Sequence, residues 1–171
     1  MLARPIATGR WDVLNSLSSA EFAVRNLAVK TVRGCIPIRE ASVEVDSSGH
    51  ATSVQAVLDL AGIDTGNARR DRDLAKPHLL ATEQYPTLTF HAGRAETDAD
   101  GWKLVGRVDA HGTSTEVLLD VRVIGGVDPG RIAVRATTSF DRREMGIRVP
   151  RFFIGRRITV TIDAILRRPV G

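Results

Sequence analysis

A single cysteine, Cys35, rules out an intramolecular disulfide and with it any disulfide-stapled scaffold. Beside Gly34 and Ile36 it reads as a small apolar filler. Aromatic side chains make up only 5% of the 171 residues, so bulky groups to plug a core are few. Lysine is nearly missing: Lys30, Lys76 and Lys103 are three of the 24 basic residues, and the other 21 are arginine. No stretch approaches the roughly 18 apolar residues of a membrane-spanning helix. The first ten residues lack the apolar run of a secretory signal, so a cytoplasmic location is expected. Also missing are a Walker loop, Gly-x-Gly-x-x-Gly, His-Glu-x-x-His and Gly-x-Ser-x-Gly. His50, His78, His91 and His111 are far apart in sequence. His91 and His111 fall on neighbouring expected strands, but their spacing alone defines no metal site. No metal and no resident cofactor is expected.

What the chain does have is alternation. Residues 52–60 put Val54, Ala56, Leu58 and Leu60 on one face. Residues 102–110 do the same with Trp102, Leu104, Gly106, Val108 and Ala110, against Lys103, Arg107 and Asp109 opposite. The pattern returns over residues 116–123, 131–140 and 157–167, and more weakly over 22–29, 33–45 and 87–95. Turn chemistry separates these runs at Asp46-Ser-Ser-Gly49, Asp98-Ala-Asp-Gly101, Gly125-Gly126 and Asp128-Pro-Gly130. Gaps this short imply antiparallel neighbours. One helix is expected over residues 67 to about 82, broken at Pro77. About eight antiparallel strands and one inserted helix predict an all-β, closed barrel, because closure removes exposed edges. No repeat or linker interrupts it, so residues 1–171 form one domain, with the ordered barrel at about 10–168. Alternation does not say which face is inside.

Charge is uneven. From Arg131 onward ten arginines meet three acids, Asp141, Glu144 and Asp163, a balance of +7 within a net charge of +4. Such a surface suits an anionic membrane or simply water. Residues 151–157, with Phe152 and Phe153 between arginines, read either as an interfacial contact or as a strand start that closes the barrel. A nucleic-acid partner is not expected, since only these two aromatics interleave the basic groups.

Three constellations carry chemistry. Ile63-Asp-Thr-Gly-Asn67 leads into a helix start beside Arg69, Arg70, Asp71 and Arg72, which reads as an anion site or as a capped, ion-paired brace. Tyr85-Pro-Thr-Leu-Thr-Phe90 opens a strand with Leu88 and Phe90 on one face. Phe140-Asp-Arg-Arg-Glu-Met-Gly146 ends one in a charged turn, with Arg142 as a ligand contact or a buried partner of Asp71. An enzyme acting on a hydrophobic substrate would draw on Asp71, Arg142 or His91. Arginine is a poor base because it stays protonated, so that alternative is thin.

Together these segments, in this order, resemble the YceI-like family of lipocalin-like polyisoprenoid-binding proteins. Trp11 with Phe22 and Val24 resembles its opening strand, and Val32-Arg33-Gly34 its step into the second. Ile63-Asp-Thr-Gly-Asn67 with Arg70, Asp71 and Leu74 is similar to its most specific motif. Tyr85-Pro to Phe90, then Leu104, Gly106, Gly112 and Thr113, then Arg142 with Met145-Gly146, follow in order, Met145 standing for an aromatic. A family His-Ser pair reads Leu17-Ser18 here, and a second family His falls on Asn26, so those head-group contacts are not carried over.

The resemblance implies an apolar barrel cavity that binds and carries or sequesters an isoprenoid, a quinone-like lipid or a similar amphiphile, without catalysis. It implies ligand contacts at Asn67, Arg70, Asp71, Leu74, Phe90, Leu104, Val108, Phe140 and Arg142, and a homodimer. An anionic membrane surface is the further partner the charge allows.

Overall fold

The computed structural model describes residues 6–25, 31–93, 95–97, 101–128, 130–147 and 155–168. Among them the strands are β1 (Gly9–Val13), β2 (Ser19–Arg25), β3 (Thr31–Ile36), β4 (Ile38–Val45), β5 (Ala51–Asp59), β6 (Thr87–Ala92), β7 (Glu96–Thr97), β8 (Gly101–Ala110), β9 (Thr113–Asp128), β10 (Arg131–Asp141) and β11 (Arg157–Arg167). Helix α1 (Ala68–Leu74) lies between β5 and β6. Every pairing is antiparallel, in the order β1-β4-β5-β6-β8-β9-β10-β11-β2-β3, and β1 also pairs with β11. That last contact closes an eight-stranded barrel, with β2, β3 and β7 as additional strands.

Two breaks account for two of the three strands beyond the eight runs of the sequence, and the two-residue β7 is the third. β1 and β2 are halves of one long strand, interrupted by the 3-10 turn Asn15–Leu17. β3 and β4 are halves of the next, interrupted at Pro37, whose ring removes a ladder donor. Where the first strand breaks, side chains replace the ladder. Asn15 Nδ2 donates to the carbonyls of Ile38 and Arg39 at 2.9 and 3.2 Å. Ser18 Oγ donates to Leu14 O at 2.7 Å and accepts from Ile165 N–H at 3.0 Å. This seam is the only place where β1 meets β11, through Asp12 opposite Arg167 and Val13 opposite Leu166.

Alternation settles the inside once the register is known. Leu104, Gly106 and Val108 of β8, Leu119 and Val121 of β9, Val134 of β10 and Val160 of β11 are buried in one continuous core. The outward set includes Val105 and Leu118, directly opposed across β8 and β9 and 61% and 58% exposed. Irregular register between β9 and β10 near Gly125 and Gly126 bends that wall. One end of the barrel is filled by tryptophans. Trp102 is fully buried with its indole N–H 3.3 Å from Gly49 O, and Trp11 donates to Ala7 O at 2.9 Å.

Two expectations need correction. The helix ends at Leu74 rather than near residue 82, because Pro77 disfavours helical geometry at Lys76 and the chain continues as turns. Cys35 is exposed, not a core filler: on β3, Gly34 and Ile36 take the inward positions, which leaves Cys35 outside. Asn26, Phe152 and Phe153 lie outside the described residues.

Candidate functional site

The end of the barrel opposite the tryptophans is roofed by the 62–86 connection. Its motif residues hold one another. Asn67 caps α1 by accepting from Arg70 N–H at 3.0 Å. Asp71 Oδ1 accepts from Thr65 N–H at 3.0 Å and from Thr65 Oγ1 at 2.5 Å. Arg70 closes the ring, its Nε donating to Thr65 Oγ1 and its Nη2 to Thr65 O, both at 2.9 Å. Asp64 Oδ1 accepts from Gly66 N–H at 2.8 Å, and the backbone of Asp64 bridges to Cys35. The network fixes where Leu74, Leu79 and Leu80 point.

Beneath that roof lies a cavity of about 90 Å³. Leu74, Leu79 and Leu80 close it from above, Phe22, Val24 and Ile36 from β2 and β3, and Met145 and Ile147 from the turn after β10. Among the described residues only His111 and Arg142 bring polar side-chain atoms to its wall. Arg142 is 2% exposed and donates to Ile147 O at 2.9 Å and Gly155 O at 3.3 Å. His111 sits in the β8–β9 turn at positive φ, its ring 5.2 Å from that of Tyr85. A second cavity of about 70 Å³ continues down the barrel, bounded by Phe90, Val108, Leu119, Val134, Ala136 and Ile162 among others. Leu88, Phe140 and Val160 border both spaces. Gly106 makes room for Phe90 in this lumen, since a Cβ there would lie 2.8 Å from the end of its ring.

The residues expected at the site therefore fall into three groups. Leu74, Phe140 and Arg142 border the upper cavity, and Phe90, Val108 and again Phe140 the lower one. Asn67, Arg70 and Asp71 build the roof, and their hydrogen bonds are made to one another and to Thr65. Leu104 is buried in the core and borders neither space. Leu79, Leu80, Met145 and Ile147 line the cavity without having been expected there. The apolar cluster at 74–80 was the signal for Leu79 and Leu80 in the sequence, and no periodicity placed it.

Among the described residues, Asp71, His91 and Arg142 do not come together. His91 points away from the lumen and pairs with Asp109 at 3.2 Å on the outer wall, while Asp71 lies in the roof network. His91 and His111 belong to different settings, one on β6 and one in the turn against Tyr85. Among the described residues no group of three or more His, Cys, Asp or Glu could hold a metal ion. Asp141 caps the 3-10 turn Arg142–Met145. The side chain and backbone N–H of Arg143 both bond its carboxylate and hold its pKa down to about 2.

An antiparallel barrel with one end roofed and an apolar lumen beneath it defines a lipocalin-like barrel. Residues 11–166 match the YceI-like domain, and the chain belongs to that family. A UPF0312 protein of Yersinia enterocolitica is 27% identical over 111 residues, which is 64% of this chain and 58% of that protein. The chain thus spans little more than half the length of the curated relatives it matches. Among solved structures, Burkholderia cenocepacia BcnA superposes with a TM-score of 0.79 at 16% identity, covering 90% of this chain and 98% of that one. A polyisoprenoid binding domain from Saccharophagus degradans superposes at 0.69 with 15% identity, covering 93% and 98%. At these identities the likeness is one of fold. Among the described residues no helix is long and apolar enough to cross a membrane.

Proposed function

We propose that the barrel binds and carries an amphiphile with a linear apolar tail, of isoprenoid type, and performs no chemistry on it. The observation that carries this reading is the two-part lumen, walled almost wholly by aliphatic and aromatic side chains. Such a wall recognises an apolar chain by shape and burial, about 0.8 kcal/mol per methylene. The spaces are narrow, which suits a chain and disfavours a bulky ring system. His111 and Arg142 border only the upper space, while the lower one carries the uncharged Ser42, Gln55 and Thr138, so an anionic end of the ligand sits above and the tail points down the lumen. The polyisoprenoid binding domain of Saccharophagus degradans, with the same fold, supports the ligand class. Gentle purification from native cells, organic extraction and lipid mass spectrometry test it. Near-stoichiometric recovery of an isoprenoid or related lipid is expected, and repeated empty extracts would overturn it.

The exposed arginines Arg156 and Arg157 stand beside the upper end, where an anionic membrane would hand over the ligand. Flotation with anionic liposomes should carry the protein and lose it when both are changed to Ser; equal flotation rejects the contact. A homodimer would cover the opposed pair Val105 and Leu118, and sedimentation of Leu118→Lys as a monomer, against a dimeric parent, tests that.

A further inference from the structure

The two cavities are not one smooth tube. Among the described residues Leu88, Phe140 and Val160 are the only side chains common to both, and they come from β6, β10 and β11. In the closed order of the barrel, β6 stands across the lumen from β11, with β8, β9 and β10 between them on one side and β5, β4 and β1 on the other. The shared residues therefore approach the axis from opposite walls and form a neck. Phe140 is the largest of the three and is buried. It is the last inward residue of β10, immediately before the turn that Asp141 caps through Arg143 N–H. Its backbone is held by the ladder, with Phe140 opposite Ile158. A ring anchored in this way cannot leave the lumen by a loop movement.

We propose that Phe140 sets the length of the apolar chain this barrel accepts: a tail fills the space beneath the roof, stops at the neck and leaves the lower cavity to the core. The proposal rests on the carrier reading and adds to it a residue that fixes specificity. Leu88, Phe140 and Val160 border both spaces, so a tail that enters beneath the roof meets them before it reaches the lower cavity. Removing the ring joins the two spaces and lengthens the preferred ligand. Filling the lower space from Ala136, which borders only that cavity, should then shorten it again.

The test is a homologous series of linear alcohols, from two to sixteen carbons, titrated by native mass spectrometry against the wild type, Phe140→Ala, Phe140→Leu and Phe140→Ala with Ala136→Phe. While the tail is still entering apolar space, each added methylene tightens binding about fourfold. The wild type is expected to show this gain up to a break and then a plateau. In Phe140→Ala the break moves to longer chains, in Phe140→Leu it moves less, and Ala136→Phe restores it. Thermal unfolding confirms that each variant is folded; if Phe140→Ala is not, Phe140→Leu carries the comparison. An identical break in the wild type and the folded Phe140 variants overturns the neck but leaves the carrier reading intact. Absence of binding by any chain to any variant overturns both.

Discussion

Gly106 offers a stringent check on how tightly the barrel wall is built. It lies on β8 with Ala92 of β6 on one side and Val117 of β9 on the other. A Cβ placed there would lie 2.6 Å from His91 O, 2.8 Å from Ala92 Cβ and 2.8 Å from Phe90 Cζ. The ring end of Phe90 can swing aside, but His91 O is main chain within the paired β6–β8 wall and cannot move alone. Gly106→Ala therefore forces β6 and β8 apart or pushes Phe90 into the lower cavity. Overpacking of this kind costs about 1–3 kcal/mol. In a domain of this size each kcal/mol lowers Tm by about 2–4 °C, so a fall of about 2–12 °C is expected. Gly125 is the matched control: nothing lies within 4 Å of its Cβ position and its φ is not in the left-handed region. Gly125→Ala should stay within about 0.5 kcal/mol of the parent. Differential scanning calorimetry of the three proteins reads both values. If Gly106→Ala melts with the wild type, the close approach of β6 and β8 is wrong, and with it the shape of the lower cavity.

Other substitutions separate roof from wall. Asn67→Ala removes the cap on α1 and should cost about 1 kcal/mol, a fall in Tm of about 2–4 °C, while Asn67→Asp largely keeps the cap. Arg142→Met keeps the bulk of the side chain but removes the donors to Ile147 O and Gly155 O, for an expected loss of about 2 kcal/mol and about 4–8 °C. Because Arg143 depresses the pKa of Asp141 to about 2, its contribution is complete above the usual aspartate value. It is lost as pH falls from about 4 toward 2, so Asp141→Asn should flatten the stability profile in that window only. A carboxyl resonance for Asp141 titrating near 4 in the wild type would contradict the bond to Arg143.

Much of the barrel was legible because half-buried strands announce themselves by period two. Residues 102–110 and 157–167 alternate without a break, and both are strands nearly to the residue. β1 was not legible. In Gly9-Arg-Trp-Asp-Val13 only Trp11 is buried, and one apolar position makes no pattern. The division of residues 33–45 at Pro37 was written in the proline itself. The cavity was harder to read. Leu79 and Leu80 reach it from consecutive turns, where side-chain direction follows no simple period. Asn67, Arg70 and Asp71 stood out as polar groups with chemistry, but a hydrogen-bonded roof and an anion site demand the same residue types. Only the distances to Thr65 show that the bonds are spent within the loop. The inward face of each strand became evident once the register was known, because covalent sequence carries no information on curvature.

The seam between β1 and β11 has a further consequence, for when the lumen comes into being. Most other contacts in the wall join strands close in the chain, but Asp12 meets Arg167 across more than 150 residues. Closing a loop of that size costs roughly 4 kcal/mol in chain entropy. Without β11 against β1 there is a curved sheet but no closed barrel, so enclosure of the cavity depends on this seam. A ligand that recognises only the enclosed form is then a partner in closure, since its binding draws the open sheet toward the barrel by mass action. Under the proposed carrier function, ligand concentration and barrel integrity become two readings of one equilibrium.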